Sequence, residues 1–405
     1  MNKYLLMATS LLLGLTACNS GKTVDVEVVN NSDIARSGEM VEIPAAEMLQ
    51  RLGSRYCYVT TPGGEEIPSQ ITSDSLLIFQ ADVPAGETAK YTLHSCETPR
   101  SYKSLVSGRI YPERADDIAW ENELVGFRIY GPATQLKGET AFGYDVFLKH
   151  PTEDQILEKL YQPETDPATW VKVDSLRKIS DKDAEDFIAS FSYHKDHGLG
   201  MDCYAVGPTL GAGVAVPFVA DSLSYSWCYK KARVLDNGPL RFTVSMDFGH
   251  RPVGNDPYVI EHRLISLDAG SHLNRTTVSY DNLSVPVVLA AGFPLRDDSK
   301  PITTSQTIAY ADPTQGPDNG KVLLGIVSPT PFDSIVDYAA TPGRQPHILG
   351  LTAPTSTPYT YYWGFAWDRP PLTLAPDSPT PDLAAWSALL TTFATELSAP
   401  LSVKY

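Results

Sequence analysis

The sequence predicts an all-β protein in two unequal parts, and three observations carry that expectation. Thirty-two Pro and 28 Gly punctuate the 405 residues, which suits short strands joined by tight turns. Twenty-one Tyr and 13 Phe add side chains that favour a pleated, half-buried surface. Residues 24–29 then read Val-Asp-Val-Glu-Val-Val, the period-two alternation of a strand with one face in a core. A hydrophobic share of 42% with 20% charged residues is globular, so neither a disordered chain nor a multi-span membrane protein fits. The net charge of -16 repels a polyanion, and nucleic acid is not an expected partner.

Lys3, an apolar run to Leu13 and then Leu15-Thr16-Ala17-Cys18 resemble a bacterial lipoprotein signal with its lipobox. The run is too short to span a bilayer. In such signals the cut falls before the cysteine, so residues 1–18 are the expected signal peptide with its lipobox and Cys18 the expected lipidation site. Several acyl chains there make the membrane a stable partner. A plain secretory peptide with an incidental cysteine is the alternative. Asn19, rather than Asp, after the anchor favours the outer membrane, so the expected location is the cell envelope.

The first part, residues 19–100, reads as a small β-sandwich. Strands are expected at 24–29, 40–43, 56–60, 67–71, 75–80 and 89–94, with a helical turn at 45–52. Pro62-Gly63-Gly64 and Pro84-Ala85-Gly86 supply the turns. Residues 101–110 read as a linker. From 111 to 405 the strands are longer and less regularly spaced, at 124–130, 144–149, 187–193, 240–248, 259–267, 274–280, 285–291 and 359–367. Helices are expected at 153–161 and 382–397, the second with Leu383, Trp386, Leu390, Phe393 and Leu397 at helical spacing. The antiparallel bulk suits a wide two-sheet sandwich with a concave face and a few short helices. Cys57 with Cys96 and Cys203 with Cys228 are local disulfide candidates; buried thiols are the other reading.

Three segments carry chemistry. The first, Ser192 to Tyr204, offers His194, Asp196, His197, Asp202 and Tyr204 on a loop turned by two glycines. Histidine gives or takes a proton near neutral pH, and loops on a rigid sheet are where sites are built. The two histidines with Asp196 or Asp202 form a weaker metal reading, and a solvated loop is the plain one. The second places Glu261 and Arg263 on one strand face, either as an ion pair or as a general base beside a substrate anchor. The third is Tyr359 to Arg369. Tyr359, Tyr361, Trp363, Phe365 and Trp367 share a face that reads as core, while Tyr362, Gly364, Ala366 and Asp368 share one with room for a ring. Aromatics with flanking carboxylates suit a sugar, making Tyr362, Trp363, Trp367 and Asp368 candidate contacts.

No GxGxxG, P-loop, HExxH or GxSxG motif occurs, so nucleotide and zinc-protease readings fall. No cofactor is expected; a divalent cation, calcium, is the one ion that Asp297, Asp298, Asp312 and Asp318 would suit.

Val28-Val29-Asn30-Asn31, Val41-Glu42-Ile43-Pro44, Glu66 to Ile71, Tyr193 to Gly198 and Gly364 to Asp368 together resemble the domain-of-unknown-function family numbered 4861, over nearly the whole mature chain. A more distant likeness is to the galactose mutarotase-like supersandwich, which includes aldose epimerases and polysaccharide lyases. That resemblance implies His194 or His197 as acid with Glu261 as base, or, for a lyase, Arg263 neutralising a uronate while His197 or Tyr204 removes a proton. Asp196 and Asp202 join the expected substrate contacts. The expected function is therefore an envelope-anchored protein acting on oligosaccharides by proton transfer at a sugar carbon, lyase-type or epimerase-type, on acidic glycan fragments. A hydrolase using Asp202 with Glu261 and a noncatalytic glycan binder are the rivals. The loop near 197 and the strand near 261 are expected to meet over one hollow.

Overall fold

The computed structural model describes residues 21–405 apart from 340, 342 and 343, so the expected lipobox at Cys18 lies outside the described residues. Val26 and Val28 turn inward and are fully buried while Asp25 and Glu27 face water, as a two-residue period requires. Their strand, Thr23–Val29, lies between Thr88–Cys96 and Ser402–Lys404 in a five-stranded sheet. Arg36–Pro44, Leu76–Val83 and Ser69–Ile71 form the facing layer. Val41, Ile43, Phe79, Tyr91 and Leu93 fill the space between.

Residues 101–106 lead into Ser107–Tyr111, which is already a strand paired with Asp117–Glu121, inside the span expected as linker. The rest of the chain is antiparallel sheet around one large core that includes Trp120, Phe127, Phe242, Tyr361, Trp363 and Phe365. Its widest sheet has nine strands, with Asp256–Asp268, Leu273–Asp281, Tyr359–Trp367 and Val322–Val327 at its centre. The chain is thus the all-β, sandwich-type protein that composition predicts.

Strand Tyr359–Trp367 settles which of its faces is open. Tyr361, Trp363, Phe365 and Trp367 enter the large core, as expected. The face expected to leave room for a ring is covered over its Ala366 end by helix Leu383–Ser398, whose Trp386, Leu390 and Ala394 pack on Leu273, Leu323 and Ala366, while Tyr362 at its other end borders a cleft. A methyl group on Gly364 would stand 2.0 Å from the His272 carbonyl oxygen, so its glycine serves close strand approach rather than a ligand.

Residues 187–193, expected as a strand, are instead the end of helix Asp181–Ala189 and the turn after it. Cap chemistry outweighs the Phe187-Ile188 pair: the Ser180 hydroxyl accepts from Asp183 N at 3.2 Å. Leu157–Thr165 and Pro167–Arg177 precede it, the latter capped by Asp166. The first of these starts later than expected because a distant carboxylate fixes its N-terminus. Glu121 accepts from Ile156 N at 2.8 Å and Leu157 N at 2.9 Å, and Lys149 neutralises it at 2.7 Å. Side chains of this helical cover, with Tyr193, pack on Tyr111, Ala119 and Phe147 of the sheet beneath. All four described cysteines are free thiols, so neither local disulfide forms.

Candidate functional site

The expected catalytic loop, residues 192–204, runs from under the helical cover to the sheet edge. Two glycines shape it: Gly198 has φ +91 and Gly200 φ +128, where side chains are strained. A methyl group on Gly200 would also stand 1.9 Å from the Leu148 carbonyl oxygen. Asp196 accepts from Gly198 N at 2.8 Å and Gly200 N at 3.1 Å, and its other oxygen meets His150 Nε2 at 2.7 Å. Asp202 N closes the loop on the Tyr193 carbonyl at 2.8 Å.

What the loop delivers is Asp202, to a buried guanidinium that sequence reasoning did not select. Arg128 Nε donates to Asp145 Oδ2 at 2.7 Å. Its Nη2 is shared by Asp145, by Asp202 at 2.7 Å and by Tyr130 Oη at 2.8 Å. Asp145, Asp202 and Arg128 are all buried. One positive charge facing two carboxylates cannot balance both. Burial chiefly, and the neighbouring Asp202, push the Asp145 carboxyl up to about 7 against the pull of Arg128. Tyr130 and Tyr161 are held as neutral phenols, mainly by burial.

Three polar atoms in and around this cluster have no partner. Arg128 Nη1, Asp117 Oδ2 and Tyr161 Oη are buried and make no hydrogen bond. Such groups normally find partners, so three of them in one cluster call for an explanation. Arg114 and His194 form the cluster's more exposed rim, with side chains 29% and 56% exposed. Arg114 Nε donates to Tyr193 Oη at 3.0 Å. His194 Nδ1 lies 2.9 Å from the Asp202 carbonyl oxygen. A carbonyl only accepts, so Nδ1 carries a hydrogen, and in the neutral ring Nε2 is the nitrogen with the lone pair.

The other expected residues go elsewhere. Glu261 is fully buried, accepting from Ser226 at 2.5 Å, Arg263 at 2.5 Å and Arg251 at 3.1 Å. Burial raises its carboxyl, but the two guanidiniums outweigh that and hold it below the usual carboxylate range. The Arg263 guanidinium lies 5.6 Å from the Tyr144 ring, which stacks on Trp363 at 3.9 Å. Tyr144 immediately precedes strand Asp145–Lys149 and, like Val146 and Leu148 of that strand, enters the large core, whereas Phe147, beneath the Arg128 guanidinium, faces the helical cover on the other side with Asp145. The Glu261 network and the Asp202 cluster therefore stand on opposite sides of that strand. Among the described residues no hydrogen bond or ion pair joins them, and the expected shared hollow is not formed.

His197 is exposed on the loop, and Tyr204 is buried with its hydroxyl unpartnered, against Arg296 at 5.0 Å. Trp363 is a core residue donating to Thr276 at 2.8 Å, and Trp367 donates to the Asn319 carbonyl at 2.8 Å. Asp368 accepts from Lys321 N at 2.7 Å, and Asp312 faces Arg296 at 2.9 Å. Tyr362 lines a separate cleft described below. Among the described residues no three His, Cys, Asp or Glu side chains converge as a metal cage. The signal for Arg128 and Asp145 was present: each is a lone charge inside an otherwise apolar string, Gly126-Phe-Arg-Ile and Tyr144-Asp-Val-Phe.

The family described as "Domain of unknown function (DUF4861)" matches residues 28–403. A protein of Formosa agariphila described as "Uncharacterized protein P7" is 25% identical over 402 residues, covering 93% of this chain and 92% of that one. A crystal structure of a glycosyl hydrolase family 38 protein from Enterococcus faecalis is similar in fold at a TM-score of 0.50 and 8% identity, covering 94% of this chain. An Enterococcus faecalis α-mannosidase gives a TM-score of 0.43 at 9% identity. This chain spans only 47% and 46% of those two proteins.

Proposed function

The chain belongs to the DUF4861 family, and from that premise and the site geometry we propose an envelope-anchored enzyme that acts on acidic oligosaccharides by proton transfer at a sugar carbon. The observation that supports it is the unpartnered Nη1 of buried Arg128, whose ion-pair partner Asp202 also holds the half-exposed ring of His194. Arg128, with Arg114 at the rim, would hold a uronate carboxylate. Pairing that charge acidifies the adjacent C–H bond. His194 Nε2 takes the proton. In a lyase the bond to the neighbouring glycosidic oxygen then breaks, that oxygen takes a proton, and a C=C bond remains. Tyr193, kept a neutral phenol chiefly by burial and contacted by Arg114, is the proton donor on hand. In an epimerase the proton returns to the opposite face instead. Asp145 and Asp202 orient Arg128, and Asp202 orients His194. The anchor is Cys18, and among the described residues no helix is long and apolar enough to cross a membrane. The sugar-type ligand is also in keeping with the fold likeness to a family 38 glycosyl hydrolase protein.

The test incubates the full chain with uronate-containing oligosaccharides in D2O. A lyase raises near-ultraviolet absorbance, and an epimerase places deuterium on a sugar carbon. His194→Ala should cut either rate by about 10²–10⁴-fold, the usual worth of a positioned general base. Neither absorbance nor deuterium, or turnover unaffected by His194→Ala and Arg128→Lys, overturns the proposal.

A further inference from the structure

A second site lies where the two sandwiches meet, on the far side of the nine-stranded sheet from the large core. Strand Arg36–Pro44, the turn after Asp256–Asp268, Tyr362 and helix Leu383–Ser398 enclose a cleft of about 640 Å³. That volume lies in the range of small-ligand sites, which favour such junctions. Its walls combine opposed charges with an aromatic edge. Arg241 meets Glu42 at 2.6 Å and Asp268 at 2.5 Å. Arg275, 45% exposed, stands 3.5 Å from the same Glu42. Tyr362 is half-buried and meets Phe393 edge-on, ring centres 5.0 Å apart.

The charges decide the ligand class. Each guanidinium is already matched: Arg241 and Arg275 by Glu42 and Asp268, and Arg36 by Glu39 at 2.8 Å. Three arginines face Glu39, Glu42, Asp268 and Glu396, so an anion and a cation alike would have to break an existing pair. A neutral ligand rich in both donors and acceptors can add bonds to the outer edges of those pairs without separating them. With an apolar ring face for Tyr362, that describes a pyranose chain. The geometry points to this cleft as a binding site for an uncharged oligosaccharide, distinct from the Arg128 cluster and independent of the chemistry proposed there. Tyr362 is the platform, and Arg275 and Glu42 are the hydroxyl-binding groups.

Isothermal titration of the full chain with hexasaccharides of glucose, mannose and xylose, and with hexagalacturonate as the acidic comparison, tests this. At least one neutral hexasaccharide should bind, and saturating hexagalacturonate should not displace it. Tyr362→Ala should weaken it by about tenfold or more, the usual effect of removing an aromatic anchor. Ser266→Phe, which fills the cleft from its floor and leaves Tyr362 in place, should do the same if Tyr362→Ala misfolds. Arg128→Lys should leave this affinity within about twofold, so that failure here and failure of the catalytic reading are separate results. Binding by none of the neutral hexasaccharides, or binding untouched by both Tyr362→Ala and Ser266→Phe, overturns the inference.

Discussion

Asp145→Asn probes the charge imbalance at the Arg128 cluster directly. In the folded protein the Asp145 carboxyl is raised from 3.8 to about 7, chiefly by burial. A folded-state value above the unfolded one means that folding binds the proton more tightly. The associated stability is complete below about pH 4 and is lost as pH rises through 7. Roughly three pH units at about 1.4 kcal/mol each put an upper limit of about 4 kcal/mol on that loss. The asparagine amide has a similar shape, still accepts from Arg128 and has no proton to lose. Its unfolding free energy should therefore fall less between pH 4 and pH 8, and the gap between variant and native should widen steadily in the variant's favour. Guanidinium unfolding at each pH, followed by the fluorescence of the buried tryptophans, measures both curves. Curves that stay parallel would refute the claim that Asp145 carries the proton.

Other perturbations test the scaffold. Trp386→Ala removes a fully buried indole that also donates to the Leu324 carbonyl at 3.0 Å, and should cost about 3–5 kcal/mol, read as a lowered melting temperature; an unchanged melt would mean that the helix does not depend on it. Gly200→Ala forces a side chain to φ +128 against the Leu148 carbonyl and should lose at least ~1 kcal/mol along with turnover, because His194 precedes it and Asp202 follows it on the loop; native-like melting and rate together would contradict this. Arg36→Ala removes a donor to the Ala399 carbonyl at 2.7 Å just past helix Leu383–Ser398, and should cost about 1–3 kcal/mol and speed amide exchange across residues 396–404; unchanged exchange would show that Arg36 is not the clasp.

Where the chain separates water from core by simple alternation, it was readable in advance. The segment 24–29 and strand Tyr359–Trp367 bury the predicted faces, and helix Leu383–Ser398 follows its apolar spacing. Strands such as Ala215–Val219 and Val322–Val327 were missed because they are covered on both sides and carry no alternation. Of the helical cover, the first helix was expected, a few residues early because Glu121 from another element sets its start, while Pro167–Arg177 and Asp181–Ala189 were missed because they are short, polar and held by caps. At the site, the loop was legible as a concentration of polar residues, and Asp202 and His194 do meet at its base. Its partners were not: Arg128 and Asp145 acquire meaning only when three separate strands align. Matching His194 to Glu261 by residue type ignored the fact that Tyr144, not Asp145, faces Arg263.

Strand Ser402–Lys404 lies against Thr23–Val29, with Val403 opposite Val28. The leading sandwich thus keeps one margin unfinished until residues beyond 400 have been synthesised. A nascent or truncated polypeptide would leave the outer side of Glu27–Val29 bare as well, ready to recruit a foreign strand. Full-length completion is therefore a safeguard against self-association as well as a matter of architecture.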